Sequence, residues 1–128
     1  DMAGALRQLP SLASSLLSEG VSAYDIAAVI SAEYRSALSR AAHLAEEKMR
    51  AQNNPPPRSF AVLVLGSAGR NESLLAADQD HAIIYDDKSD PIADKDRHTY
   101  QNWFEEFGKH ISDILDEAGI HYCKGGVM

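Results

Sequence analysis

Two aspartates, Asp78 and Asp80, stand one residue apart in Asp78-Gln79-Asp80-His81-Ala82-Ile83-Ile84-Tyr85, a segment polar at its start and apolar at its end. Read as a strand, it puts both carboxylates on one face with their Cα atoms roughly 6.6 Å apart. Like charges that close repel unless a cation sits between them. Hard oxygen ligands select Mg²⁺ or Mn²⁺ over softer metals. Two such ions, about 3.5–4 Å apart, can clamp the attacking and leaving oxygens of an in-line phosphoryl displacement. An isolated Asp-x-Asp also occurs in exposed turns, where it caps backbone groups.

A second group of residues lies just upstream, in Gly66-Ser67-Ala68-Gly69-Arg70-Asn71-Glu72. Glycine at the end of a buried strand lets a phosphate approach the backbone, and the serine hydroxyl adds a donor. A helix beginning there would aim partial positive charge at the same place. Arg70 can offer a forked donor to phosphate oxygens. Gly-Ser-x-Gly alone is equally the composition of an ordinary turn. It is not a P-loop, because the Lys-Ser/Thr ending is absent. It also matches the GxxG loop of RNA-binding KH domains, but acidic surroundings and missing basic neighbours argue against that use. Combined, the Gly-Ser bend and the aspartate pair supply donors for a triphosphate and ligands for its metals.

The elements that must position these residues follow from periodicity. Leucines at 6, 9, 12, 16 and 17 have helical spacing, with Pro10 expected in the first turn of a helix starting near Ser11 and Gly20 ending it. Ser22 and Asp25 resemble a capping box. The helix that follows carries Ile26, Ile30, Tyr34, Leu38, Ala41, Ala45 and Met49 on one stripe, up to Asn53-Asn54-Pro55-Pro56-Pro57. Residues 1–54 therefore read as an N-terminal helical hairpin, joined by a stiff connector to a core over 58–128. In that core, Phe60 to Leu65 is a continuous apolar run, expected to be a strand buried on both faces. Residues 68–77 read as a loop or short helix, and Asp86 to Asp96 as a polar loop. Tyr100, Trp103, Phe104, Phe107, Ile111, Ile114, Leu115 and Ala118 define a helix over 96–118 that covers the sheet, ended by Gly119. Ile120 to Met128 starts a third strand, expected to be cut short at its C-terminal end. The fold class is α/β in the α+β sense: a small mixed sheet, a helical hairpin before it and a covering C-terminal helix.

Composition bounds the function. The chain has 128 residues, 45% hydrophobic and 24% charged, which is one globular domain burying roughly 68% of its unfolded surface. One cysteine, Cys123, excludes an intramolecular disulfide and a cysteine-based zinc site. No apolar run approaches a membrane span and no signal peptide opens the chain, so the expected location is cytoplasmic. Of the net charge of −7, residues 1–70 carry +1 and residues 71–128 carry −8, and an acidic half repels phosphate backbones, which argues against nucleic acid as a partner. His43, His81, His98, His110 and His121 include no pair four apart, so a histidine zinc site is not expected; His81, beside Asp80, has the one claim on the site. Asn71-Glu72-Ser73 matches a glycosylation acceptor, read as accidental without a signal peptide.

Gly66-Ser67, ten residues, then Asp78-x-Asp80 resembles the signature of the DNA polymerase beta-like nucleotidyltransferase superfamily. The longer string from Gly66 through Gly69, Arg70 and Glu72 to Asp80, with the late Tyr122-Cys123-x-Gly125-Gly126-Val127-Met128, resembles one branch of it. That branch comprises nucleotidyltransferase domains related to the PII-protein uridylyltransferase, often downstream of CBS or cyclic-nucleotide-binding domains. The resemblance implies a sheet of that superfamily's type. Gly66 and Ser67 would hold the β- and γ-phosphates of a nucleoside triphosphate, and Asp78 and Asp80 would ligate Mg²⁺ or Mn²⁺ as the catalytic acids. Gly69, Arg70 and Glu72 match the branch motif as nucleotide-binding residues, Arg70 touching phosphate and Glu72 orienting it. A hydroxyl on a protein or small-molecule acceptor would attack the α-phosphorus and release pyrophosphate. Adjoining CBS, cyclic-nucleotide-binding and substrate-binding domains, and a role in signal transduction, are implied for the intact chain.

The sequence departs from the superfamily in one respect. Active members add a third carboxylate from a neighbouring strand. Asp86 and Asp87 lie six strand residues past Asp80, roughly 20 Å away, and Ile120 to Met128 holds no acid. Three possibilities follow: an acid beyond Met128, substitution by Glu72, or nucleotide binding without turnover. The alternatives to a transferase are a non-catalytic nucleotide-sensing module and a helical interaction domain whose acidic loop is merely solvated.

Overall fold

In the computed structural model, which describes residues 2–75, 78–86 and 94–123 (backbone alone at 94–96), the longest element is the helix α2, Ala23–Ala51. Six of the seven stripe residues (Ile26, Ile30, Leu38, Ala41, Ala45 and Met49) are buried, and Tyr34 is half-buried. The Ser22 hydroxyl caps the start by accepting the Asp25 N–H at 3.2 Å. At the far end Asn53 turns left-handed (φ 58°). The N–H groups of Asn53 and Asn54 reach back to the carbonyls of Arg50 and Met49, and the prolines prevent continuation.

Helix α1, Met2–Ser18, corrects the expected start near Ser11: Pro10 lies inside the helix. A mid-helix proline removes one backbone bond and costs about 3 kcal/mol. Here its ring is exposed, while Leu9 and Ala13 are buried and Met2, Leu6 and Leu16 pack against the core. Burying each large apolar side chain returns about 1.5–3 kcal/mol, so the stripe outweighs the proline. Leu12, at 41% exposure, is off that stripe. Gly20 ends the helix as expected, with Gly20 and Val21 donating to the carbonyls of Leu17 and Leu16.

Helix α4, Asp94–Ala118, starts two residues before the expected position. Its stripe of Trp103, Phe104, Phe107, Ile111 and Leu115 is buried against α2 and the sheet. Strands β1 (Phe60–Val64) and β2 (His81–Tyr85) pair antiparallel, with Phe60 opposite Tyr85 and Val64 opposite His81. The class is α+β. Phe60 sets its ring 5.1 Å from Phe107, and Tyr85 stacks on Phe104 at 4.1 Å, so the aromatic stripe is the floor of the sheet.

Only that one face is covered among the described residues. β1 alternates half-buried Phe60, Val62 and Val64 with exposed Ala61 and Leu63, which corrects the expectation of a strand buried on both sides. An apolar run of six has no period to tell the two cases apart. No strand is assigned over Ile120–Cys123, and the rest of the expected third strand, 124–128, lies outside the described residues, as does most of the polar loop 86–96. One bond lies where a third strand would pair: the Gln79 N–H donates to the His121 carbonyl at 3.0 Å. Among the described residues no helix is long and apolar enough to cross a membrane.

Candidate functional site

The chain leaves β1 at Val64 and turns at once into a single helical turn, α3 (Gly66–Gly69). Gly66 has φ +59°, a conformation L side chains rarely adopt. A Cβ placed there would lie 1.8 Å from Oδ2 of Asp80 and 2.8 Å from its Cγ. The bare backbone at the bend and the second acid are therefore in direct contact. Gly69 has a different steric duty: a Cβ there would come within 2.6 Å of the Val64 carbonyl oxygen, so its absence lets the turn fold back on the strand end. The first turn of a helix leaves its leading N–H groups without intrahelical acceptors.

Asp78 and Asp80 precede β2, which begins at His81, so the expected strand start is three residues early. The alternation nonetheless holds. Asp78 and Asp80 are exposed, Gln79 between them is buried, and the Asp80 carbonyl accepts the Leu65 N–H at 2.9 Å. His81 then points inward at 6% exposure. Burial pushes its imidazole below the ordinary value of 6.5, and the neighbouring Asp80 charge pulls the other way.

Helix α2 holds the 66–75 segment at three points, of which Tyr34 alone stands on the predicted stripe. The Ser31 hydroxyl accepts the buried Ser73 N–H at 3.0 Å. Tyr34 donates its hydroxyl to the Leu75 carbonyl at 2.9 Å. Arg35 donates to the Ala68 carbonyl at 2.8 Å and to Asn71 Oδ1 at 2.6 Å, and Asn71 itself is left-handed at φ 60°. These contacts span 33 to 42 residues of sequence. Polar residues scattered on a helix carry no periodic signal; the one clue was that Ser31 and Arg35 flank the apolar stripe.

The predicted residues fall into two groups. Ser67, Asp78 and Asp80 line one cleft with Ala68, Val64 and Tyr34, and Gly66 touches Asp80. The Ser67 hydroxyl sits 3.3 Å from that of Ser73. Arg70 and Glu72 lie on the exposed end of the loop, paired with each other through Nε and Oε2 at 3.2 Å. Among the described residues no cluster of three His, Cys, Asp or Glu side chains is placed to hold a metal. Glu72 is thus engaged with Arg70, and Asp86 packs its N–H against the Ser59 carbonyl at the far end of the sheet.

The cleft at the acids encloses about 40 Å³. Drug-sized ligands fill roughly 300–1,000 Å³, so a polyphosphate could only lie across its open mouth. A larger groove of about 480 Å³ runs between β2 and α4, lined by Ile83, Tyr85, Phe104 and Lys109. It shares His81 with the smaller cleft and contains none of the residues predicted to bind metal or nucleotide.

A family model described as "Putative nucleotidyltransferase DUF294" matches residues 7–128. No curated protein and no solved structure matches the chain.

Proposed function

The chain belongs to this family, and we propose that it transfers a nucleoside monophosphate from a nucleoside triphosphate to a hydroxyl on a protein or small-molecule acceptor. The observation that carries the proposal is the contact between the Gly66 backbone and the Asp80 carboxylate. It brings a surface open to phosphate and a hard anionic ligand to one point. Asp78 and Asp80 are both exposed beside it, oxygen donors of the kind Mg²⁺ and Mn²⁺ take. When bound, such an ion neutralises phosphate charge and polarises the phosphoryl oxygens.

In this reading Asp78 and Asp80 hold the metal, Gly66 and Ser67 seat the β- and γ-phosphates across the cleft mouth, and Arg70, oriented by Glu72, reaches the polyphosphate from the loop end. The acceptor oxygen forms a bond to the α-phosphorus as the bond to the bridging oxygen breaks. Pyrophosphate leaves with the electron pair, and the hydroxyl proton passes to solvent. The chain's contribution is positioning and preorganised charge. Its acceptor, and any adjoining CBS or cyclic-nucleotide-binding domain that would tie it to signalling, belong to the same proposal.

A second reading, binding without turnover, draws support from the lack of a third acid beside the pair among the described residues. The test is to supply Mg²⁺ and each of the four nucleoside triphosphates, labelled at the α-phosphate, with candidate acceptors. Pyrophosphate release that disappears in Asp78→Asn and Asp80→Asn supports transfer. Nucleotide binding with no release supports sensing, and neither binding nor release would overturn both.

A further inference from the structure

Gln79 separates the two acids, and its side chain goes the opposite way. It is 2% exposed. Nε2 donates to the Ser112 carbonyl in α4 at 2.8 Å and to the Ile120 carbonyl just past the end of that helix at 2.9 Å. Its own N–H donates to the His121 carbonyl at 3.0 Å. The other end of the amide is idle: Oε1 is buried with no partner among the described residues. Two carbonyls facing one end of the group fix which atom is nitrogen. The position is built around two hydrogens to give and has no use for an acceptor.

Glutamate at 79 would present an oxygen to both carbonyls, and methionine would leave them facing an apolar chain. Glutamine is the long side chain that supplies both hydrogens without a charge. We infer that Gln79 is the positioning residue of the acid pair. Its amide fastens the segment to the C-terminal end of α4, and alternate residues of an extended chain point to opposite sides. Side chain 79 held inward therefore holds 78 and 80 outward together. The Asp80 carbonyl, bonded to Leu65, fixes the segment along its other edge and keeps the Asp80 carboxylate against Gly66. The functional consequence rests on the reading of Asp78 and Asp80 as metal ligands; the clamp itself does not.

The experiment uses the 128-residue chain with two readouts and a control. Amide hydrogen exchange without ligand is measured at Leu65 and at residue 79. Affinity for Mg²⁺ with each of the four nucleoside triphosphates is measured by calorimetry. Gln79→Met should speed exchange at both amides at least tenfold and weaken the best nucleotide at least tenfold. Gln79→Asn, which keeps the amide on a shorter stem, should fall between it and wild type. Ile26→Val, in the separate α1–α2 cluster, should leave both readouts within twofold. Exchange in Gln79→Met within twofold of wild type overturns the clamp. Fast exchange with unchanged affinity overturns its role in positioning the acids. Should Gln79→Met fail to fold, Gln79→Asn is judged by the same two thresholds. A wild-type chain that binds none of the four nucleotides sinks the transferase reading, while the exchange measurement still decides the clamp.

Discussion

The Asp80 carboxylate occupies the space that a side chain at Gly66 would need: Oδ2 lies 1.8 Å from where that Cβ would be. Gly66→Ala therefore carries two penalties, the left-handed backbone and the displaced acid. The first is about 1–2 kcal/mol. The second is expected to abolish nucleotide binding and turnover. Gly20→Ala is the matched comparison, since Gly20 also has positive φ (+81°) but no atom of the described residues within 4 Å of its Cβ position. It should lower the melting temperature by a similar step and leave nucleotide affinity unchanged. Melting curves and calorimetry on the two variants separate backbone strain from loss of the site.

Asp78→Asn and Asp80→Asn remove charge from exposed positions, so the fold should hold and the melting temperature should move little. Pyrophosphate release should fall beyond about 100-fold, the scale lost when a preorganised charge partner of the reacting group is removed. A loss of activity accompanied by collapse of the melt would instead mark these acids as structural.

Two arginines near the bend should respond differently. Arg35 is bound to the Ala68 carbonyl and Asn71, so Arg35→Ala should destabilise by about 1–2 kcal/mol and raise KM by loosening the loop. Arg70 has a 63% exposed side chain paired with Glu72, itself 58% exposed, a contact worth about 0–1 kcal/mol. Arg70→Gln should leave the melt unchanged and raise KM for the nucleotide. The split is read from melts and steady-state kinetics side by side.

His81 gives the pH dependence. Its imidazole is held below 6.5 by burial, so the unfolded chain takes up a proton more readily than the folded one. The stability this group supports is whole above 6.5 and is lost as pH falls through the lower, folded value. A ring-proton NMR titration should place His81 below 6.5, and Asp80→Asn should lower it further by removing a neighbouring charge that raises it. A titration at or above 6.5 contradicts the burial seen here.

Much of the fold was legible because apolar residues at steps of three and four have one geometric solution. The stripes of α2 and α4 stand where the spacing puts them. The errors share a cause. Pro10 states a local preference that Leu6, Leu9 and Ala13 override only once α2 lies beside them. Phe60 to Leu65 does not say how many faces will be covered. At the site, the types and spacing of Gly66, Ser67, Asp78 and Asp80 were enough to bring them together on paper. The groups that hold them, Ser31, Arg35 and Gln79, act through bonds to carbonyls, amides and side chains 33 to 42 residues away. Beyond the place of Ser31 and Arg35 beside the apolar stripe, a one-dimensional pattern does not mark such partners.

The four hydrogen bonds from α2 to the 66–75 segment set the smallest unit that could be transplanted. A piece cut at the prolines would keep the glycine turn and both acids, every letter of the recognisable signature. It would lack Ser31, Tyr34 and Arg35, leaving Ser73 and Asn71 to find water instead. Grafting that signature onto another scaffold without a helix in the place of α2 would copy the spelling and lose the grip.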